Sequence, residues 1–254
     1  MIDIQALSLH RSNKKIINKI NLSLNIGITS VIGPNGAGKT TLIKCLSGLI
    51  KDYNGHINFK NRNLKTYKYK EIAQLRSFAS QSNEVNFPFS VREIVGMGRY
   101  SHSETSSNIE NKKIIEEVIH EFSISHLSNQ NFNTLSGGEK QRVQLARVFA
   151  QVWDVENGLI FLDEPTSALD FSHQVKLFNL IKKKVLANKW SIVIVLHDLQ
   201  IASKFSDNIL LMKKGEVYAH GRADNILSKD NLFNVYETPI KIIKTDDLNI
   251  YSIF

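Results

Sequence analysis

The sequence is poor in cysteine and has no long apolar run, and each scarcity excludes a class of protein. The only cysteine, Cys45, lies in an apolar setting (LIKCLSGL) and cannot form an internal disulfide. A buried thiol in a reducing compartment is its expected state. No apolar stretch approaches the roughly 18–20 residues that cross a bilayer. The start, MIDIQALSLH, lacks the basic and apolar segments of a signal peptide, so we expect a protein of the cytosol.

Low-complexity tracts, internal repeats and dense charge clusters are also lacking. The 254 residues are 42% hydrophobic and 22% charged, an ordinary composition for a globular chain that buries a full core. A formal net charge of +8 permits nucleic acid, anionic lipid or a phosphate-bearing ligand as partner. The charges are scattered, however, and the only run, KKK at 182–184, is typical of a solvated surface. Charge alone therefore selects no partner.

Three apolar stretches indicate strands that are buried on both faces. Each is almost entirely aliphatic and is followed by a glycine or a polar residue: ITSVI (28–32) by Gly33, LIFL (159–162) by Asp163, and SIVIVL (191–196) by His197. Such runs are typical of a parallel sheet covered by helices on both sides. Because ligands bind beyond the carboxyl ends of the strands in these sheets, we expect Gly33, Asp163 and His197 along one edge.

The stretch after the first strand, GPNGAGKT at 33–40, fits the phosphate-loop pattern G-x-x-x-x-G-K-[ST]. Its glycines let backbone N–H groups converge on phosphates, Lys39 reaches the β- and γ-phosphates, and Thr40 offers a hydroxyl to Mg²⁺. An apolar helical stretch follows, and its positive dipole end points at the anion. The pattern predicts a nucleotide site with Mg²⁺, whose expected contacts are Gly33, Pro34, Asn35, Gly36, Ala37, Gly38, Lys39, Thr40 and Thr41.

The acidic pair Asp163-Glu164 follows the second strand. Asp163 supplies a carboxylate for the Mg²⁺ shell, and Glu164 is placed to orient or deprotonate water. Burying two carboxylates at the end of an apolar strand costs free energy unless cations lie near them. A structural salt bridge is the alternative, and the phosphate loop around Lys39 makes it the weaker one.

The stretch LSGGEKQRVQLAR at 135–147 predicts a second helix start that suits an anion. Ser136 and Glu139 form an S-x-x-E capping box, and Gly137 and Gly138 lie between them. The phosphate loop already serves a nucleotide of the same chain, so we expect this helix start to close over a nucleotide bound to a second copy. An ordinary capped helix is the alternative, and it gives no role to the two glycines.

Taken in order, GPNGAGKT, LSGGE, LIFLDEPTSALD and LHD resemble the nucleotide-binding subunit of ABC transporters, over essentially the whole chain. The resemblance implies that two copies sandwich two ATP molecules, each signature (Ser136, Gly137, Gly138) facing its partner's phosphate loop. It also implies roles for single residues: Gln81 in the glutamine loop at the metal, Asp163 as the magnesium aspartate, Glu164 as the catalytic base, Ser167–Asp170 (SALD) as the dimer-contacting loop, and His197 as the switch histidine that senses the γ-phosphate.

The resemblance implies an α/β fold with a RecA-like P-loop NTPase core and an inserted helical subdomain. We place the core at 1–81 and 151–254 and the helical subdomain with the signature at 82–150. The subdomain contains a second capping box, Ser90 to Glu93, and an amphipathic face formed by Ile114, Ile115, Val118, Ile119 and Phe122. In the family, this subdomain and the glutamine loop receive two transmembrane permease subunits, so we expect a peripheral protein at the cytoplasmic face of the cell membrane.

The cargo is suggested by likeness alone. FPFSVREIVGMGRYSH at 87–102 resembles importers of haem, ferric siderophores and vitamin B12. The stretch VFAQVWDVENGLIFL, between Arg147 and Asp163, is longer than in generic relatives and looks most like the haem (hemin) importers. A freely varying surface loop is the other interpretation of this extension. Ferric-siderophore or vitamin B12 import therefore stays open, and the substrate-binding protein is an indirect partner.

A soluble ABC ATPase of translation or DNA repair is the remaining alternative. Those proteins usually carry two cassettes or a long coiled-coil insertion, and this chain has neither. We therefore expect no nucleic-acid partner.

Many ABC subunits also stack an aromatic residue on adenine, about twenty residues before the phosphate loop. Here that position holds Arg11, with His10 beside it, and a guanidinium plane can stack as a ring does. The last stretch, 240–254, alternates in places like a strand and suggests no chemistry.

Overall fold

The computed structural model describes residues 2–12, 14–80, 87–244 and 249–253. It contains two compact units, Met1–Tyr67 with Ser191–Phe254, and Lys68–Trp190. We call them the first and the second unit. The sequence predicts another division, with a core at 1–81 and 151–254 and a helical subdomain at 82–150. That division comes from the resemblance to a family and not from compactness, and it stays a proposal.

The elements alternate between strand and helix along much of the chain. The strands are β1 (Ile2–Arg11), β2 (Lys14–Leu24), β3 (Gly27–Ile32), β4 (Asn54–Phe59), β5 (Arg62–Asn63), β6 (Arg76–Ala79), β7 (Leu159–Asp163), β8 (Ser191–Val195), β9 (Asn208–Lys213), β10 (Glu216–Gly221), β11 (Ile240–Lys244) and β12 (Asn249–Ile253). The α-helices are α1 (Lys39–Leu46), α2 (Tyr69–Leu75), α3 (Val91–Met97), α4 (Asn108–Glu121), α5 (Gly137–Ala150), α6 (Phe171–Asn188), α7 (Leu199–Phe205), α8 (Ala223–Ile226) and α9 (Lys229–Tyr236).

The first unit is built on β3, which lies between two parallel neighbours. Val31 of β3 pairs with Val195 of β8 on one side and with Leu210 of β9 on the other. Every residue of β3 and of β8 is buried, as the aliphatic runs predict for strands covered on both faces. Strand β10 joins β9 in antiparallel fashion, and β2, β1, β4 and β5 form a separate antiparallel sheet.

The second unit packs helices and the parallel pair β6–β7, in which Phe78 lies opposite Phe161. Its core includes Phe149 of α5, whose ring stands 5.2 Å from that of Phe122 and 5.9 Å from that of Trp190, both edge-on. Such edge-to-face pairs add to the stability that burial provides. The predicted apolar face of α4 is confirmed, because Ile114, Val118 and Ile119 are buried along it.

Helix starts in the second unit follow the predicted capping chemistry. The boxes Ser90–Glu93 and Ser136–Glu139 are both present, each with the serine accepting from the glutamate N–H and the glutamate accepting from the serine N–H. A third box at Ser107, ahead of α4, has the same form. Each box satisfies backbone donors that a helix start leaves without partners.

The extension before β7 is held in place by partly buried hydrogen bonds. Arg99, only 3% exposed, donates to both carboxylate oxygens of Asp154 over 2.8 and 3.1 Å. His102 Nε2 lies 2.7 Å from the Gln151 carbonyl, and Trp153 Nε1 donates to Glu117 of α4 over 2.9 Å. These contacts join the extension to the turn after α3 and to α4. The alternative interpretation, a surface loop that varies freely among relatives, stays a hypothesis.

The C-terminal stretch forms a hairpin, which confirms the strand pattern and adds a second strand. In it, Ile242 of β11 lies opposite Tyr251 of β12. The Tyr251 hydroxyl donates to Ser203 Oγ over 3.2 Å, so the hairpin packs against α7.

Across the part of the chain that the structure describes, no helix is long and apolar enough to cross a bilayer.

Candidate nucleotide site

The phosphate loop begins where β3 ends and leads directly into α1. Lys39, the first residue of α1, is 6% exposed, and its ammonium donates to the carbonyls of Gly33 and Pro34 over 2.7 and 3.1 Å. The chain therefore curls around the lysine head. Within the loop, Ala37 N–H donates to the Pro34 carbonyl over 3.2 Å, and Asn35 and Gly36 are exposed at its tip. Thr40 and Thr41 follow in the first turn of α1.

The loop glycines serve two distinct purposes. A Cβ at Gly33 would stand 2.3 Å from the Met212 carbonyl oxygen, and one at Gly38 would stand 2.9 Å from the Ile16 carbonyl oxygen. Both positions therefore need glycine because neighbouring backbone approaches too closely for a side chain. Gly36, in contrast, has a φ of +79° and nothing within 4 Å of the Cβ position. An uncrowded backbone at the amino end of a helix fits a phosphate group.

His197, the predicted switch histidine, follows β8 in the same unit. Strands β3 and β8 are parallel and in register, so Gly33 and His197 leave adjacent strands at the same edge. His197 is exposed, and the next residue, Asp198, caps α7 by accepting from the N–H groups of Gln200 and Ile201 over 2.7 and 3.0 Å. This cap fixes the direction in which the chain leaves His197. The structure thus brings two of the three predicted strand-end residues together.

The acidic pair lies at the end of β7 in the second unit. Asp163 is 3% exposed, and Glu164 has a φ of +52°, in the left-handed region that non-glycine residues seldom adopt. Such strain concentrates at functional sites, where the surrounding structure holds it. The next residues are tied to α5, because Gln141 Nε2 donates to the Pro165 carbonyl over 3.0 Å. The meeting of Asp163 with Gly33 and His197 at one edge stays a prediction.

The signature forms the amino end of α5. Ser136 precedes the helix and accepts from the Glu139 N–H, as the sequence predicts. A Cβ at Gly138 would stand 3.0 Å from the Ala168 carbonyl oxygen, whereas one at Gly137 would meet nothing within 4 Å. The expectation that packing leaves both glycines without a role is therefore only half right. Gly138 serves close packing against the SALD loop, and Gly137 alone has no neighbour that demands it.

The other predicted site residues have local positions that the structure defines, with one exception. Asp170 caps α6 by accepting from the His173 N–H over 2.8 Å, and that backbone hydrogen bond, with the one from the His173 ring, holds the pKa of Asp170 low. His10 and Arg11 end β1 and are exposed. Gln81 lies outside the described residues, so its predicted role remains a prediction.

Arg11 has an electrostatic effect on the helix that follows the phosphate loop. Burial raises the pKa of the Cys45 thiol to about 12, and the Arg11 guanidinium acts in the opposite direction. Counting residues gives the position of Arg11, but the sequence does not reveal this electrostatic effect, the close approach of Gly138 to Ala168 or the hydrogen bond from Gln141 to Pro165. All three join residues that are distant along the chain.

Similarity to known proteins agrees with this geometry. A sequence model of the family described as ABC transporter matches residues 17–167, more than half of the chain. This match agrees with the phosphate loop, with the capped helix α5 and with the acidic pair at the end of β7. Together they show the class of protein to which the chain belongs. The chain belongs to the ABC transporter family as an ATP-binding subunit, an ATPase coupled to transport.

Individual relatives are similar over nearly their whole length. A hemin import ATP-binding protein, HmuV, from Escherichia coli O157:H7 is 35% identical over 96% of this chain and 95% of its own. The HmuV of Hahella chejuensis is 37% identical over the same shares. Among solved structures, an inward-facing transporter described as of metal-chelate type matches with a TM-score of 0.81 and 25% identity, over 100% of this chain and 96% of its own. A dimeric bacterial ABC transporter cassette matches with a TM-score of 0.77 and 25% identity, over 88% and 99%.

Proposed function

We propose that this ATPase drives the import of haem across the cell membrane. The observation that carries the proposal is the near full-length similarity to proteins named hemin import ATP-binding protein. The stretch between Arg147 and Asp163, which the contacts of Trp153 and Asp154 hold in place, supports it, since the sequence likeness to haem importers includes that stretch. Import of a ferric siderophore or of vitamin B12 is the alternative, because the same ATPase chemistry would serve either cargo.

In the proposed reaction, water attacks the γ-phosphoryl group of ATP in line with the leaving oxygen. Glu164 orients this water and takes its proton, and Lys39 binds the β- and γ-phosphates. His197 contacts the γ-phosphate. Gly33, Pro34, Asn35, Gly36, Ala37, Gly38 and Thr41 supply the loop around the phosphates.

Mg²⁺ would be held by the Thr40 hydroxyl, by Gln81 and by the Asp163 carboxylate, and it would neutralise charge on the phosphates. Oxygen atoms are the donors this ion prefers. In the described residues, no three His, Cys, Asp or Glu side chains gather as a metal site of their own. That arrangement suits an ion that completes its shell with phosphate and water oxygens.

The proposed active assembly is a homodimer bound to two permease subunits at the cytoplasmic face of the cell membrane. Gly137 supports the dimer, because packing within the chain does not explain it and a glycine at a helix start admits an anion closely. Ser136, Gly137, Gly138 and Asp170 of one copy would thus complete the phosphate site of the other. A solved cassette similar to this chain is dimeric.

The test is ATPase stimulation in the complete transporter. The two ATPase subunits, the permease pair and the binding protein are reconstituted in liposomes, and each candidate cargo is loaded on the binding protein. Haem should raise the ATPase rate several-fold above the rate with the empty binding protein, whereas a ferric siderophore and cobalamin should not. Stimulation by cobalamin with haem inert would reverse the assignment. Purification from detergent extracts without any polytopic partner would instead favour a soluble ABC ATPase.

A further inference from the structure

A tight turn between β9 and β10 contacts the phosphate loop. Strand β9 ends at Lys213, β10 begins at Glu216, and these two residues pair across the turn. Between them, Lys214 has a φ of +48° and Gly215 has a φ of +83°. Two central residues with positive φ form the kind of two-residue hairpin turn whose twist matches that of the strands. The position of the turn is therefore set by the strands on either side of it.

Gly215 forms hydrogen bonds through both of its backbone polar groups. Its N–H donates to the Ala37 carbonyl of the phosphate loop over 3.0 Å, and its carbonyl accepts from the Asn18 N–H of β2 over 2.9 Å. A Cβ at Gly215 would stand 2.5 Å from the Ile16 carbonyl oxygen, so the backbones approach too closely for a side chain. Gly215 therefore joins the phosphate loop to β2, and only glycine allows both bonds.

The bond from Gly215 fixes the direction of one peptide group in the phosphate loop. Ala37 is buried, and its carbonyl belongs to the peptide group that carries the Gly38 N–H. In a planar trans peptide, the C=O and the N–H that follows it point in opposite directions. Because the Ala37 carbonyl is held toward Gly215, the Gly38 N–H points away from the turn. Backbone N–H groups of a phosphate loop are the groups that bind the phosphates.

A side-chain hydrogen bond strengthens the same junction. Asn18 Nδ2 of β2 donates to the Glu216 carboxylate at the start of β10. This bond lies next to the backbone bond between Asn18 and Gly215. A glutamine at position 216 would keep an acceptor oxygen for Asn18, whereas an alanine would not. The junction can therefore be loosened through one side chain, without any change in the phosphate loop itself.

We propose that Gly215 is a positioning residue of the ATPase site, which holds the Ala37 carbonyl and thereby directs the Gly38 N–H at the phosphates of ATP. Gly215 acts through Ala37 and contacts neither ATP nor the reacting atoms. The role rests on the proposed binding of ATP at 33–40 and does not depend on which cargo the transporter carries. It gives a function to a turn that is far from the phosphate loop along the chain.

The test compares two glycine-to-alanine variants at positions with similar positive φ. Gly215→Ala places a methyl group against the Ile16 carbonyl and moves the turn away from Ala37. Gly48→Ala is the matched control, because Gly48 has a φ of +75° but only Leu64 side-chain carbons near its Cβ position, the nearest at 3.6 Å. Gly48 follows the carboxyl end of α1, whereas the phosphate loop precedes its amino end. The full-length subunits are titrated with a fluorescent ATP analogue, and their KM for ATP, kcat and melting temperature without nucleotide are measured.

Gly215→Ala should weaken ATP binding roughly three- to tenfold, as expected for one hydrogen bond, and should raise KM more than it lowers kcat. Both variants should lower the melting temperature, because alanine is strained at positive φ, but Gly48→Ala should bind ATP as the wild type does. A purely structural role would lower the melting temperature of Gly215→Ala and leave its ATP affinity unchanged. Wild-type affinity in Gly215→Ala, or equal losses of affinity in both variants, would overturn the proposal.

A milder pair of variants carries the test if Gly215→Ala does not fold. Glu216→Ala should weaken ATP binding about two- to threefold, and Glu216→Gln should restore wild-type affinity. Equal ATP affinity in these two variants would contradict the positioning role. The wild type tests the proposed function separately, because a wild type that does not bind ATP would refute the nucleotide site itself. A wild type that binds ATP no better than Gly215→Ala does would refute the positioning role alone.

Discussion

Ser136 and Glu139 bind each other in both directions at the start of α5. The Ser136 hydroxyl donates to Glu139 Oε2 over 2.6 Å, the Ser136 N–H donates to the same oxygen over 2.8 Å, and the Glu139 N–H donates back to Ser136 Oγ over 3.4 Å. These bonds hold the pKa of Glu139 below its ordinary value. The serine that is predicted to meet a partner's nucleotide is thus fixed at the helix start by its own chain.

The first prediction tests whether this helix start acts on the other copy. A Ser136→Arg subunit mixed with a Lys39→Ala subunit forms dimers in which both lesions fall at one interface site. The other site then combines an intact phosphate loop with an intact signature. We expect such mixed dimers to bind one ATP, while each mutant homodimer loses both sites. Equilibrium dialysis on tagged heterodimers measures the stoichiometry, and mixed dimers that bind no ATP would contradict the arrangement.

The second prediction concerns Glu164, whose φ of +52° marks a strained position. In Glu164→Gln, the amide keeps the shape and the hydrogen bonds of the side chain but cannot accept the proton of water. ATP should still bind, turnover should fall by at least about a hundredfold, and an ATP-bound dimer should accumulate. Gel filtration with ATP and Mg²⁺ detects the dimer. Glu156→Gln, which neutralises an exposed acid of the extension, should behave as wild type, and wild-type turnover by Glu164→Gln would refute the base assignment.

Much of the fold is predictable because its determinants are local. The aliphatic runs before Gly33 and His197 are buried strands, as their composition indicates, and β8 ends one residue before the predicted Leu196. Capping boxes are also local, since serine and glutamate three residues apart need no partner elsewhere. The phosphate loop is recognisable for the same reason.

What the sequence does not reveal depends on contacts between distant residues. Gly33 must be glycine because of the Met212 carbonyl, and Gly138 lies tightly against the Ala168 carbonyl, and nothing in either motif indicates these neighbours. The extension could be interpreted as a surface loop because the Arg99 that fixes Asp154 is 55 residues away. Likewise, alternation predicted a strand at the C-terminus but not its contact with α7.

The third prediction concerns the stability that Asp154 provides. Burial alone would raise its pKa, but the hydrogen bonds and charge of Arg99 outweigh burial and lower it. A lowered folded-state pKa means that this stability is present above the unfolded pKa of about 4 and is lost as pH falls through the folded value. Asp154→Asn should reduce the free energy of unfolding by about 2 kcal/mol at pH 7, less than for a fully buried pair because Asp154 is half-exposed.

Urea unfolding at pH 7 and pH 3.5 measures this effect. The difference between wild type and Asp154→Asn should be smaller at pH 3.5, because below the unfolded pKa of about 4 the unfolded wild-type chain takes up a proton at Asp154 that the native state does not bind. Glu156→Gln is the matched control in the same extension, since its ion pair with Lys189 is more than 60% exposed on both sides. Exposed pairs contribute roughly 0–1 kcal/mol. A difference that stays constant between the two pH values would contradict the assigned role of the Asp154 charge.

The fourth prediction concerns adenine recognition. Arg11 ends β1, is exposed, and its charge opposes the rise in the pKa of Cys45 in α1, the helix that follows the phosphate loop. A guanidinium that stacks on a base gains roughly 0.5–2 kcal/mol of cation–π attraction and contacts the base face rather than its edges. Arg11→Ala should therefore weaken ATP and GTP binding by similar factors of about two to thirty. Titrations with fluorescent ATP and GTP analogues compare wild type, Arg11→Ala and His10→Ala, the last as the neighbouring control. Wild-type binding by Arg11→Ala together with a loss in His10→Ala would transfer the stacking role to His10, one residue earlier on β1.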